Sequence, residues 1–127
     1  MQCRGIRGAT TVGANTREEI LAATKELLQE MVRANDVREE DVAFMLFTAT
    51  RDLNAEFPAA AARDLGFNRA ALLCGHEMNV PGSLPMCLRI LILLNTDKTV
   101  DEIVHIYTKG AEVLRPDGWG SKASAKE

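Results

Sequence analysis

One arginine stands where the chain has least use for a charge. Arg89 interrupts MCLRILILL, with apolar neighbours on both faces of a strand pattern and no acid within several residues. Unpaired in a dry place, such a group would cost on the order of 3 to 5 kcal/mol, so either a distant carboxylate or an anionic ligand has to meet it. Three further arginines raise the same question. In CRGIRGATTV, alternation puts Arg7 on one strand face with Gly5 and Ala9, both too small to crowd it. Arg63 ends FPAAAAR on a short helix, and Arg115 follows Leu114 in a segment expected at a sheet edge. Acids are nearly absent from the strand-forming segments before Glu112. Several guanidiniums without obvious partners suggest a dianionic ligand, although each taken singly reads equally well as a solvated surface residue.

Glu77, in GHEM, is the reverse case: an acid just past a strand, in a Pro/Gly loop, placed to accept a hydrogen bond from a hydroxyl. A metal is not expected, because HEMNV lacks the second histidine of HExxH and His105 has no ligand-spaced partner. Cys74 has no sequence cue for an activating base and reads as packing before nucleophile. Tyr107, the one tyrosine, shares a face with His105 in HIYTK, but alternation does not say whether that face meets a core or a pocket. Phe57 before Pro58 either walls a pocket or staples the short helix. GxGxxG, Walker-type and GxSxG patterns are all missing, so dinucleotide, nucleotide and serine-hydrolase readings lose their usual support, and no cofactor is expected.

The elements that must position these residues follow from periodicity and punctuation. Residues 2 to 12 predict a strand. Thr16 with Glu19 matches a capping box, and Ile20, Thr24, Leu27, Leu28, Met31 and Val32 recur at helical spacing. Residues 42 to 50 (VAFMLFTAT) predict an inner strand, and residues 59 to 65 a short helix entered through Pro58 and stopped by Gly66. Residues 70 to 74 predict a third strand, GHEMNVPGSLP a functional loop, and residues 87 to 94 a fourth strand. A helical turn over 99 to 103 and an extended stretch over 105 to 114, broken near Gly110, complete the domain, expected over residues 1 to 116. Residues 117 to 127 (DGWGSKASAKE) read as a flexible tail.

This order implies an α+β (α/β-like) domain with a single mixed β-sheet and helices on one face. Phe44, Leu46, Leu91 and Leu93 alternate against Met45, Phe47, Ile90 and Ile92, so both sheet faces are apolar and two helices on one side leave the other bare. A homo-oligomer that brings sheets together is the expected cover.

Length and composition agree. At 127 residues, 46% hydrophobic and 26% charged, the chain fits one core. A net charge of -3 and a pI near 5.4 give no field for a polyphosphate backbone, so no nucleic acid is expected. No apolar run approaches the roughly 20 residues of a membrane helix, so no membrane is expected either. Three cysteines without a CxxC pair, behind an N-terminus that enters a strand pattern, predict a cytoplasmic location.

The motifs RGIRGATTV, TATRDLNAEFPAAAAR, CGHEM, VPGSLPMCLRILIL and IYTKGAEVLRPD, read together from residue 3 to about 117, resemble the monofunctional, trimeric Bacillus-type chorismate mutases. The resemblance implies an isomerase that rearranges chorismate, a dianion, to prephenate, toward phenylalanine and tyrosine. It also implies a homotrimer whose sheets pack into a pseudo-barrel core, with an active site at each interface. By position, Arg7 matches the arginine that binds a substrate carboxylate and Tyr107 the tyrosine assisting it. Arg89 matches the arginine reaching the ether oxygen, Glu77 the acid that hydrogen-bonds the ring hydroxyl, and Cys74 a cysteine near that hydroxyl. Phe57, Arg63, Leu114 and Arg115 match residues that line or close the pocket, the first two given by the neighbouring subunit. Ala60 departs from the family, which often has a basic residue there, so weaker electrostatic capture is expected. Two alternatives stand beside it: a trimeric imine deaminase, which would explain Arg89 or Arg115 but not Glu77 together with four arginines, and a non-catalytic trimer that binds a small anion.

Overall fold

Thr16 opens the longest helix, α1 (Arg17–Asn35), by accepting the Glu19 amide on its hydroxyl at 3.1 Å. Its apolar face behaves as the spacing predicts: Ile20, Thr24, Leu27, Leu28 and Met31 are buried, with Val32 at the margin. Asp36, left-handed at φ 55°, ends it. The computed structural model describes residues 1–115, so the domain end expected at 116 and the tail expected over 117 to 127 lie outside the described residues.

Five strands form one mixed sheet: β1 (Gln2–Thr11), β2 (Val42–Ala49), β3 (Ala71–His76), β4 (Cys87–Thr96) and β5 (Ile106–Tyr107), in the order β3-β2-β4-β1-β5. β4 runs antiparallel to both β1 and β2, whereas β2 with β3 and β1 with β5 are parallel. A short helix, α2 (Ala59–Asp64), connects β2 to β3 and packs on α1. Gly66, at φ 103°, provides the left-handed stop. β3 extends through Gly75 and His76, so the loop carrying Glu77 starts two residues later than the sequence suggests.

The expected final extended stretch is mostly not a strand. Only Ile106 and Tyr107 pair with β1; Lys109 then takes a left-handed φ of 55°, and Lys109–Leu114 coils into 3-10 turns. Arg115 follows that coil, its amide bonded to the Glu112 carbonyl, and is not part of a sheet edge.

Both helices and one sheet face build the core. Met45, Phe47, Ile90 and Ile92 pack with Ile20, Leu27, Leu28 and Met31 of α1 and with Ala59 and Ala62 of α2. On the other face, Phe44, Leu46, Leu91 and Leu93 are only partly buried and Leu73 is 64% exposed, the uncovered apolar surface that alternation predicts. At Gly8 the sheet has no room for a side chain, because a Cβ there would run into the Met31 sulfur of α1. Replacing Gly8 by Ala is expected to destabilise the fold by about 1 to 3 kcal/mol through overpacking, seen as a lower urea midpoint with an unchanged slope.

A strand as short as β5 needs other anchors. Asn35, at the last turn of α1 and 1% exposed, accepts the Val104 amide and donates to the Val104 carbonyl, both at 2.8 Å. One residue on, His105 Nδ1 accepts the Arg7 backbone N–H at 2.9 Å, which requires an unprotonated nitrogen. Burial, and then the Arg7 charge, hold this ring's pKa down from 6.5 to about 4. Between those values the unfolded chain binds the extra proton, so this stability is complete above pH 6.5 and is lost as the pH falls toward 4. The gap corresponds to roughly 3 kcal/mol at most. Denaturant midpoints measured from pH 7 to pH 4.5 should fall for the parent chain, and His105→Gln should flatten that part of the profile.

Candidate active site

The sheet register sets five residues in one row. Tyr107 pairs with Ala9, Ala9 with Arg89, Arg89 with Thr48, and Thr48 with Gly75, so the row crosses every strand from β5 to β3 on the uncovered face. Arg7 lies on the same face one pair along, opposite Leu91. Gly75 leaves room at the β3 end of the row, where a Cβ would meet nothing within 4 Å, whereas Ala9, 1% exposed, is packed against Tyr107 and Ala111.

Arg89 is neither dry nor without a partner. Its side chain is 48% exposed, and its Nε meets Glu77 Oε2 at 2.9 Å. The acid that the neighbouring sequence lacks arrives from the end of β3, where the Glu77 amide donates to the Ala49 carbonyl at 2.9 Å. A half-exposed pair of this kind contributes little stability, about 0 to 1 kcal/mol. It does fix direction: the guanidinium is planar and has five N–H donors, so holding Nε orients the remaining four. Burial pushes the neighbouring Cys87 thiol up, and the charge and hydrogen bonding of Arg89 pull it back. Leu114 and Leu84 pack against Tyr107, Ala9 and Ala111 at the other end of the row, with Arg115 next in the chain.

Phe57, Arg63 and Cys74 form a second group, on the helix side of the sheet. Cys74 pairs with the core residue Phe47, and so faces away from Arg89. Burial raises its thiol pKa, opposed by a hydrogen bond from the Ala59 backbone and by the Arg63 charge, which places Arg63 near it. Cys74, Phe57, Leu53, Glu56, Pro58 and His76 line a cavity of about 460 Å³, in which Phe57 is 68% exposed. The structure thus brings Arg7, Glu77, Arg89, Tyr107 and Leu114 to one face and gathers Phe57, Arg63 and Cys74 on the other, with Cys74 apart from Glu77.

Two positions escaped sequence reasoning. Thr48 donates its hydroxyl to Glu77 Oε2 at 3.1 Å. Its signal is visible in VAFMLFTA, as the one polar side chain on a face otherwise made by Phe44 and Leu46. Asp52 accepts the Thr50 hydroxyl and the Met86 amide, and the Thr50 bond keeps its pKa below the usual value against the effect of burial. The Thr50 amide donates to the Cys87 carbonyl and the Thr50 hydroxyl oxygen accepts the Cys87 amide, so Asp52 ties down the start of the strand that carries Arg89. Among the described residues, no three His, Cys, Asp or Glu side chains gather as a metal ion would require, and no helix is long and apolar enough to cross a membrane.

Comparison with known proteins gives one answer. The family model described as "Chorismate mutase type I" matches residues 3–118. Chorismate mutase AroH of Bacillus subtilis is 48% identical over 118 residues, 92% of this chain and 93% of that protein. Chorismate mutase AroH of Thermus thermophilus is 50% identical over 115 residues, 90% of this chain and 94% of that protein. A solved chorismate mutase from Clostridium thermocellum superposes with a TM-score of 0.84 at 50% identity, covering 86% of this chain and 97% of its own.

Proposed function

We infer the mechanism from a settled premise: this chain belongs to the chorismate mutase type I family and is a chorismate mutase, an isomerase of aromatic biosynthesis. Chorismate becomes prephenate when its ether C–O bond breaks as a new C–C bond forms, in one cyclic shift of electrons. No proton is transferred and no covalent enzyme intermediate forms, so neither a general base nor a cofactor enters this scheme. What accelerates it is holding the compact conformer and stabilising the charge that grows on the ether oxygen.

The observation that carries our assignment is the row on the uncovered face, where Arg89 stands paired with Glu77 beside open space. The Nη groups of Arg89 reach the ether oxygen, and Glu77 accepts the ring hydroxyl. Arg7, with Tyr107, clamps a carboxylate, while Leu114 and Arg115 close over the ligand. Together such terms reach the lower enzymatic range, roughly 10⁶-fold or about 8 kcal/mol.

Phe57, Arg63 and Cys74 lie across the sheet from this row, so they join it only from a second copy. We therefore place each site at a subunit interface of a homotrimer whose uncovered faces meet in a pseudo-barrel core. The uncovered Phe44, Leu46, Leu73, Leu91 and Leu93 support that arrangement. The free Cys3, Cys74 and Cys87 support a reducing, cytoplasmic setting. Purified protein given chorismate should consume its absorbance and yield prephenate, and light scattering should give the mass of three chains. Failure to form prephenate would overturn the assignment, and a stable active monomer would overturn the shared site.

A further inference from the structure

Thr48 carries a hydroxyl that its place in the sheet does not require, since Phe44 and Leu46 on the same face of β2 are apolar. That hydroxyl reaches Glu77 Oε2, the same oxygen that takes Arg89 Nε. Next along the strand, Ala49 holds the Glu77 amide. Two consecutive residues of β2 thus fix the acid, one at its carboxylate and one at its backbone. Neither the Thr48 nor the Arg89 bond uses Oε1. Gly75, paired with Thr48, leaves open space on that side.

A carboxylate that faces an arginine alone tends to settle into a fork, with two parallel N–H···O bonds. Here that fork would consume Oε1 together with a second guanidinium nitrogen. Each is a group that the reaction needs elsewhere, one for the ring hydroxyl and the other for the ether oxygen. A second donor on Oε2 opposes the rotation that would make the fork.

We propose that Thr48 is a positioning residue: by sharing Glu77 Oε2 with Arg89 it holds the pair in a single-bond arrangement, leaving Oε1 and the Nη groups for the substrate. This rests on the roles given above to Glu77 and Arg89. It differs from a packing role, because the methyl of Thr48 could fill the same space without the oxygen.

Thr48→Val retains the shape and removes the donor. It should lower kcat by about 10- to 100-fold, the loss expected for one hydrogen bond to a charged group, with KM within about threefold because the carboxylate clamps are elsewhere. Thr48→Ser should recover the parent kcat within about threefold. In a Glu77→Ala background, Thr48→Val should add less than about twofold, since its only target is gone. A crystal structure of Thr48→Val should show Glu77 forked onto Arg89. If valine disturbs the strand, Thr48→Ala replaces it, judged by a melting temperature equal to the parent's. Parent-like kcat in the folded variant, or a full additional loss without Glu77, would overturn the proposal. A Glu77→Ala enzyme as active as the parent would instead overturn the role of Glu77.

Discussion

Arg89→Ala is expected to lower kcat/KM by at least ~10³-fold, comparable to losing one oxyanion donor at roughly 3 to 4 kcal/mol. Two effects combine in that loss. The ether oxygen forfeits the cation toward which its charge develops, and Glu77 loses the partner on its Oε2, so an acid now faces a dianion with only the Thr48 hydroxyl to hold it. Because the resting pair is half exposed, stability should change little, and the melting temperature should stay near that of the parent while turnover collapses. Arg89→Lys tests geometry: an ammonium cannot hold Glu77 with one nitrogen and present two others in the same plane, so rescue should be poor. A folded Arg89→Ala protein within tenfold of the parent, followed by chorismate absorbance, would remove this residue from the chemistry.

The second large effect is a gain. Arg63→Ala, on the helix side of the sheet, should cost about 10- to 100-fold by itself. Co-expressed in equal amounts with Arg89→Ala, it should recover about one quarter of the parent activity per site. A head-to-tail ring assembled at random places an intact Arg89 face against an intact Arg63 face in about that share of its interfaces. The control pairs two lesions on one face. Arg7 and Arg89 lie on the same side of the same chain, so Arg7→Ala with Arg89→Ala can never assemble an intact row, and their mixture should stay as poor as its parents. Recovery in neither mixture would contradict a site divided between chains, and recovery in both would contradict a row in which Arg7 and Arg89 come from one chain.

The row of site residues was legible to different degrees, for physical reasons. Arg89 and Arg7 stood out because strand alternation is a local rule, and a cation inside an apolar run violates it within a few residues. The partner of Arg89 was not legible, since Glu77 reaches it only through the pairing of β3 with β2 and of β2 with β4. Cys74 was matched by resemblance alone to a cysteine near the ring hydroxyl; three positions before Glu77 along the strand direction reverse the face, and the cysteine lies with Phe57 and Arg63. The stretch after His105 looked extended because HIYTK alternates. Gly110 marked a break there, but the left-handed turn falls one residue earlier, on Lys109, a residue type that rarely adopts it. The start and the buried face of helix α1 were legible, because its cap and its apolar spacing are both encoded at short range, whereas its end at Asn35 was not read.

The strand order also decides when this enzyme can exist during its own synthesis. β1 is made first, yet its neighbours in the sheet are β4 and β5, while β2 can join β3 at once. A nascent chain stopped anywhere before Cys87 therefore holds an orphan first strand and a separate two-stranded fragment, with no sheet linking them. β4 then inserts between the two, pairing Gln2 with Thr96 and Val42 with Leu94, and such long loops close slowly. The strand that brings Arg89 is thus the one that joins the two halves of the sheet, and neither half holds that guanidinium before it arrives.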